Sequence, residues 1–462
     1  MKTPVLLFAL LFPVIALQSQ QRLELSLREA QSYAMENNRE IRSARIDVDL
    51  ADKKVKETTA IGLPQINASG SFQHFLDIPV TVLPDFISPT VLATLVETEL
   101  LSADEATLGE TRYVNAQFGT TYNASGGVAV NQLVFDGSYI VGLQAAKAYK
   151  GFAELSREEK EAEIRYSVSE AYITAIIASE NLRILSGSRE SVEKLLSDTR
   201  ALVSNGFAEE IDADRLQLQL NGIDNQIRFA KNQEDLAQEL LRFILGAPGN
   251  TEIILTDNAA SVLNVSETAA LETATLEINS LPRYKTINAA VGLQELVVKR
   301  EKSAYLPQLN AFFSHQQNAL RNEFNFFAQG GEWFPSTVWG LSLNIPLFSS
   351  GMKHYRVQQA ALELEKAQLG KETVAEAANL EYNAARTELL NAVEQEQTSE
   401  ENLALSKKIF SQTGIKYREG LAGSFELSQA QSQFISSEAE YIAALTYLLR
   451  SKLRLQKAIN QF

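Results

Sequence analysis

Two stretches of this 462-residue chain contain no proline, residues 90–247 and 347–462, although the chain has eleven prolines. Proline removes a backbone donor and clashes with the preceding turn, so long helices belong in such stretches. Within them, Gly137 to about Ser204 and Ser350 to about Tyr417 are rich in Ala, Glu, Leu, Lys and Arg. Each covers some 68 residues, which as one helix extends about 100 Å at about 1.5 Å per residue. No ordinary globular core covers such a helix, so coiled-coil or bundle packing must. The last tract shows that packing directly. Leu427, Phe434, Tyr441, Leu448 and Leu455 recur every seven residues, as do Ala430, Ser437, Ala444, Ser451 and Ala458. A large row beside a small row at heptad spacing lets helices approach closely and supercoil.

The chain also repeats itself. "GLPQINA" (62–68) returns as "YLPQLNA" (305–311), with Pro64 and Pro307 243 positions apart. At that offset residues 38–68 align with 281–311 without a gap, and nine of the 31 positions are identical. "NQLVFDG" (131–137) resembles "NIPLFSSG" (344–351), and "VSNGFAEEIDADRLQLQ" (203–219) resembles "YREGLAGSFELSQAQSQ" (417–433). The order predicts an internal duplication, each half reading helix, strand, strand, long helix, turn, helix. The first repeat spans 21–247, with strands about 64–76 and 114–135, a long helix 137–204 and a helix 207–247. A linker covers 248–282. The second repeat spans 283–462, with strands about 307–316 and 337–348, a long helix 350–417 and a helix 424–460.

The strand assignments rest on period-two alternation. Ile66, Ala68, Gly70 and Phe72 alternate with Gln65, Asn67, Ser69 and Ser71; Val114 to Tyr122, Leu309 to Phe313 and Trp339 to Leu347 continue the theme. Apolar-out, polar-in alternation is what a membrane barrel strand needs, and a buried soluble hairpin shows the same local pattern. Phe324, Phe326, Phe327, Trp333, Phe334 and Trp339 read as an interfacial aromatic cluster. The first strand–strand connection is about 30 residues longer than the second. Residues 77–112, with Pro79, Pro84 and Pro89, read as an elaborated surface loop with a short helix.

Composition narrows the function classes. Lys and Arg number 42 against 57 Asp and Glu, a formal net charge of −15, with no basic block, which argues against nucleic acid. An acidic surface suits cationic or neutral solutes, and general solubility explains it equally. No cysteine is present, which excludes disulfides, thiolate metal sites and a lipidated N-terminal Cys. Residues 1–20 read as a secretory signal peptide: Lys2, then a 13-residue apolar run from Val5 to Leu17. No later run of 18 apolar residues exists, so any membrane crossing must be a closed β-barrel. His74, His315 and His354 are isolated, so no metal site is expected, and no nucleotide, hydrolase or metalloprotease motif occurs. No cofactor and no catalysis are expected.

Four strands leave two open edges, which lipid does not tolerate, so several chains must share one barrel. Three chains give twelve strands, wide enough to enclose water. At this point the chain resembles the TolC-type outer-membrane efflux proteins. The resemblance runs through "LSLREAQSYAMENNREI" (25–41), both "LPQ" junctions, both strand-to-helix exits and both tip turns. It implies an α+β membrane protein: a homotrimer with a 12-stranded outer-membrane β-barrel, a periplasmic barrel of long coiled-coil helices, and an equatorial collar at 248–282 and the chain ends. It implies an exit duct in the outer membrane of a Gram-negative bacterium. A periplasmic adaptor and an inner-membrane pump or ABC exporter would be its partners. On the matching positions, Glu426 and Gln429 fall at the pore constriction, with the second acidic residue of the family's pair missing. A Glu426 ring would favour cations and bind a multivalent metal plug; a solvated residue at a helix N-terminus is the other reading. Asp212 and Tyr417 fall on a hydrogen-bonded link that closes the tip, and the family's further arginine falls on Ala422. The competing functional reading is a structural, periplasm-spanning coiled-coil stalk without a pore.

Overall fold

The computed structural model describes residues 22–102, 104, 112–263 and 265–462. The signal-peptide assignment therefore lies outside the described residues. In chain order the elements are β1 (Arg22–Leu25), α1 (Leu27–Asn37), α2 (Arg39–Ile61), β2 (Gln65–His74), β3 (Val80–Pro84), α3 (Ile87–Glu97), β4 (Tyr113–Gln117) and β5 (Tyr122–Asp136). Next come α4 (Gly137–Ser204), α5 (Glu210–Leu245), β6 (Glu252–Leu255), α6 (Ala259–Leu263), α7 (Val265–Glu272), a 3-10 turn (Ile278–Ser280) and α8 (Pro282–Ser303). Then follow β7 (Gln308–Arg321), β8 (Phe334–Asn344), α9 (Met352–Arg418) and α10 (Ser424–Ala458). The fold is α+β and mostly helical. It divides into two compact units: one of residues up to Lys53, Lys147–Glu295 and Ala361–Phe462, the other of Lys54–Ala146 and Leu296–Ala360.

In the first unit, local chemistry sets the helix ends. Ser26 caps α1 in a reciprocal pair with Glu29, whose carboxyl is held below its ordinary range mainly by the Ser26 backbone N–H. Asn38 interrupts the single helix expected there. Its extended backbone ends α1, and its side-chain oxygen accepts from the Glu40 and Ile41 N–H groups that start α2. Gly246 ends α5 at φ +73°, with Asn37 so near that a Cβ would collide with its carbonyl. The parallel pair β1–β6, absent from the sequence analysis, joins Arg22–Leu25 to Glu252–Leu255. Buried Tyr172 of α4 donates to the Leu25 carbonyl at 2.8 Å and to Asp257 at 3.1 Å. Buried Lys452 of α10 donates to the Val262 and Leu263 carbonyls. The N-terminal strand, the 248–282 segment and α10 thus meet around one core containing Ile41, Tyr172, Leu241, Leu245 and Leu449. Along α10 both heptad rows are buried, Tyr441 alone being half-buried.

In the second unit the main sheet runs β2-β5-β7-β8, every pair antiparallel, with β2 and β8 as open edges. Each Leu-Pro-Gln lies where a helix gives way to a strand: α2 ends at Ile61 before β2, and α8 ends at Ser303 before β7. The first junction is packed closely. Gln132 donates to the Gly62 carbonyl at 2.6 Å, Tyr139 donates to the Thr59 carbonyl at 3.2 Å, and Tyr139 fills the space a Cβ on Gly62 would need. At the second, Leu306 sits against Gly137 and Lys353 donates to the Ala304 carbonyl at 2.5 Å.

Three strand assignments need correction. The stretch 114–135 is two strands, β4 and β5, broken at 118–121 where Gly119 takes φ +134°, a conformation reserved for glycine. β4 pairs with β3, not with the main sheet, so the loop 77–112 holds helix α3 and a strand that forms a separate two-stranded antiparallel sheet with β4. The strand 337–348 runs 334–344 instead: Pro346 has no N–H for a ladder, and Ser350 and Gly351 turn through positive φ before α9. The strand 307–316 continues to Arg321. At the other exit β5 passes straight into α4, with the Asp136 carboxylate accepting from the Tyr139 N–H at 3.0 Å.

Strand register sorts the sheet into two faces. Ile66, Phe72, Val128, Val130, Phe313, Trp339, Leu341 and Leu343 share one face. Gln65, Asn67, Ser69, Ser71, Asn123, Ser125, Asn131, Asn310, Ser314, Gln316, Asn318, Ser342 and Asn344 share the other. On the apolar face, at its Arg321 end, Phe72 and Tyr122 pack with Phe324 and Phe326, and Trp333 joins through Phe326. Of the other aromatics expected to cluster, Phe334 falls on the polar face beside Asn318, and Phe327 and Trp339 are strongly exposed. Among the described residues no helix is long and apolar enough to cross a membrane.

Candidate functional site at the paired helix turns

Helices α4 and α5 are joined by a turn at 205–209, and α9 and α10 by one at 419–423. The two turns are built alike. Gly206 lies at φ +76° and Gly420 at φ +73°. The Gly206 N–H reaches the Val203 carbonyl and the Phe207 N–H the Leu202 carbonyl, at 3.0 and 2.9 Å. Gly420 and Leu421 make the same two bonds to Tyr417 and Lys416, at 3.0 and 2.8 Å. Each is a glycine-closed helix end that satisfies carbonyls left over by the last turn. Phe207 and Leu421, at equivalent places past the glycine, are both strongly exposed.

Behind the turns the four helices share a core. Val192, Leu195 and Leu196 of α4 pack with Leu216 and Leu220 of α5, and with Tyr417 of α9 and Leu427 of α10. Phe410 and Phe434 stack at 5.6 Å. Polar links run along the seams. Arg189 of α4 bridges Glu193 and Asp224, and Arg200 donates to Gln217. Between α5 and α10, Arg215 donates to the Ser424 hydroxyl at 3.3 Å and Gln219 to the Ser428 hydroxyl at 3.0 Å, one helical turn apart on both helices. Ser188 of α4 donates to Glu438 of α10, whose carboxyl is pushed above its ordinary range by burial.

The residues singled out from the sequence fall here, in differing settings. Glu426 and Gln429 are exposed on successive turns of α10, away from buried Leu427 and Ala430. Glu426 stands in the first turn, where the helix N-terminus favours a carboxylate. Asp212 stands in the first turn of α5, accepts from the Glu209 N–H at 3.4 Å, and lies 4.0 Å from Arg215. Tyr417 is buried, and its hydroxyl has no hydrogen-bond partner. Asp212 and Tyr417 are therefore not bonded to each other in this chain. Tyr417 contributes its ring to the core, and Arg215, with its neighbour Gln219, makes the bonds that tie α5 to α10. Ala422 packs partly buried against the same core. The Arg215–Ser424 and Gln219–Ser428 pairs escaped the sequence analysis. Their only sequence trace is the equal i,i+4 spacing of the partners on both helices. Among the described residues no cluster of His, Cys, Asp or Glu is arranged to hold a metal ion.

Comparison with known proteins places this architecture. Residues 289–461 match the sequence profile of a family described as outer membrane efflux protein. The proteases secretion protein PrtF of Dickeya chrysanthemi is 21% identical over 222 residues, covering 47% of each chain. The alkaline protease secretion protein AprF of Pseudomonas aeruginosa is 21% identical over 206 residues, covering 44% of this chain and 42% of that one. The chain thus spans about half the length of the curated relatives it matches. Over nearly all of the chain the fold matches solved channels. A CusC structure superposes with TM-score 0.73 at 15% identity, covering 95% of this chain and 92% of that one. The Campylobacter jejuni CmeC outer membrane channel superposes with TM-score 0.67 at 16% identity, covering 94% and 85%. Residues 289–461 thus resemble the outer membrane efflux protein family, and the chain carries the fold of these solved channels along nearly its whole length.

Proposed function

We propose that this protein is the outer-membrane exit duct of a tripartite efflux or type I secretion system, passively conducting cargo delivered by a periplasmic adaptor and an inner-membrane pump or ABC exporter. The observation that carries this reading is the four-stranded sheet with two open edges, one apolar face and one polar face. Open edges in lipid leave backbone groups unpaired, each at a cost of several kcal/mol. Three copies joined edge to edge remove every edge and make a twelve-stranded barrel, apolar toward outer-membrane lipid and polar within. The repeated helix–strand junctions support an internal duplication that supplies two strand pairs per chain. The secretion relatives support export as the task.

At the helical turns, Glu426 of three copies forms the acidic constriction, with Gln429 one turn deeper as its uncharged second ring. Asp212 and Tyr417 keep the entrance shut indirectly, Asp212 through the α5 cap and Arg215, Tyr417 through the core. Exposed Phe207 and Leu421 present the adaptor with an apolar docking point at each turn.

The test is single-channel conductance of the purified protein in a planar bilayer, with a trivalent cation added on the side of the turns. Cation-selective openings that the metal blocks, and that Glu426→Gln frees from block, are the expected result. Conductance without block keeps the duct and removes the metal-binding ring. No conductance, even with Arg215 and Gln219 both replaced by alanine to loosen the turns, returns the chain to the structural stalk.

A further inference from the structure

We propose that the polar face of the β2-β5-β7-β8 sheet is a charge-neutral wall that passes cargo of either sign, extended polypeptide included. Charge selection is then left to the helical part of the duct, the Glu426 turns included. The inference rests on the duct reading and adds to it where selection occurs and where it does not.

The register rows carry the argument. Asn67, Ala129, Ser314 and Val338 lie side by side, as do Ser69, Gly127, Gln316 and Ser336, and Ser71, Ser125, Asn318 and Phe334. Row after row the polar groups are amides and hydroxyls. The chain is 21% charged overall, and a face of this size at that frequency would carry several Lys, Arg, Asp or Glu. It carries only Asp136, the last residue of β5, whose carboxylate is engaged with the N-terminus of α4.

The ionisable residues of these strands stand elsewhere. Of β7, His315 falls on the apolar face, hydrogen-bonded to Thr337 at 2.7 Å. Arg321 shares that face, stacked over Phe326 at 5.1 Å and bonded to Asn325. His74 stacks on Tyr122 at 4.4 Å, again on the apolar face. The polar face also fills its own gaps: Phe312 covers Gly340, and Ser71 bonds Ser125 at 2.7 Å.

A fixed charge on a water-filled wall backed by low-dielectric lipid sets up a focused field that favours one sign of cargo. Amides and hydroxyls set up none. Each offers both donors and acceptors, and exchanges them for water at little net gain, so cargo is neither held nor sorted. A polypeptide carries both signs along one molecule, and a wall with a strong field of either sign would stall part of it. An uncharged wall suits that cargo and is equally open to small ions of both signs.

The absence of cysteine from the chain makes the test clean. Ser314→Cys on the polar face, Phe313→Cys on the apolar face and Gln429→Cys beside Glu426 are made in the full-length protein, reconstituted in liposomes. Each is titrated with cationic ethyltrimethylammonium and anionic ethylsulfonate methanethiosulfonates. Ser314→Cys is expected to react with both, at a rate ratio within about twofold of that for a free thiol. Gln429→Cys is expected to favour the cation by fivefold or more, and Phe313→Cys to react with neither. Adding Asn318→Asp to Ser314→Cys should raise the cation-to-anion ratio at least threefold, which shows that the assay reads wall charge. A tenfold skew at Ser314→Cys without that added charge overturns the neutral wall and leaves the duct standing. A Ser314→Cys thiol closed to both reagents overturns the duct and the wall together.

Discussion

Breaking the two bonds between α5 and α10 should loosen the turns by a calculable amount. Arg215→Ala removes the donor to Ser424, and Gln219→Ala removes the donor to Ser428. Each bond contributes about 0.5–1.5 kcal/mol net, as is usual for hydrogen bonds exchanged with water. The two sit one turn apart on both helices, so they hold one seam. Their joint loss lowers the local opening free energy by about 1–3 kcal/mol if the two act additively. Where exchange follows local opening, that difference multiplies amide exchange rates by roughly 5 to 150, since about 1.4 kcal/mol is a factor of ten. Hydrogen–deuterium exchange of the detergent-purified protein, followed in peptides from residues 203–225 and 415–432, measures it. Single substitutions should accelerate exchange there by about 2- to 12-fold. Peptides around Tyr172 should be unaffected, because that core uses neither residue. Unchanged exchange at the turns in the double variant would refute the reasoning. The apolar core of Leu216, Leu220, Tyr417 and Leu427 would then hold the seam alone.

Gly420→Ala places a side chain at φ +73° with open space around it, so backbone strain acts alone and destabilises the turn by about 1–2 kcal/mol. Gly414→Ala, inside α9 with Leu427 at ordinary contact distance, should be neutral or stabilising by up to about 1 kcal/mol; thermal melts followed by circular dichroism compare the two. Leu389→Ala empties a fully buried position beside Leu448 and Leu455 and should cost about 2–5 kcal/mol in the same melts. Burial raises the Glu438 carboxyl above its ordinary 4.5 in the folded chain, so the native state holds that proton more tightly than the unfolded chain does. The Glu438 contribution to stability therefore falls as pH rises from 4.5 through the raised value. Glu438→Gln should flatten the stability profile in that window; a profile of unchanged slope would refute the assignment.

The sequence by itself determined what local chemistry decides. Freedom from proline and a high content of helix formers mark α4 and α9. The heptad rows mark the buried stripe of α10, and glycine marks both turns. Both Leu-Pro-Gln segments announce the change from helix to strand, because proline can neither extend the helix nor donate to a ladder. The exposure of Glu426 and the burial of Leu427 were legible for the same reason, since helical period alone separates them. Tertiary structure decided whatever depends on a distant partner. Alternation carried on smoothly from Val114 to Tyr122, yet the strand breaks there, because β4 pairs with β3 while β5 pairs with β2 and β7. The short β1 and β6 have no signal of their own and exist only as a pair. Arg215 bonds α5 to α10, while Asp212 of α5 and Tyr417 of α9 do not bond, since side-chain reach across a seam depends on the azimuth of two helices, which no residue spacing within either one encodes. The same holds for the two faces of the sheet. Each strand alternates visibly, but only the register between strands brings the uncharged residues into continuous rows and sets the ionisable ones of β7 on the opposite face.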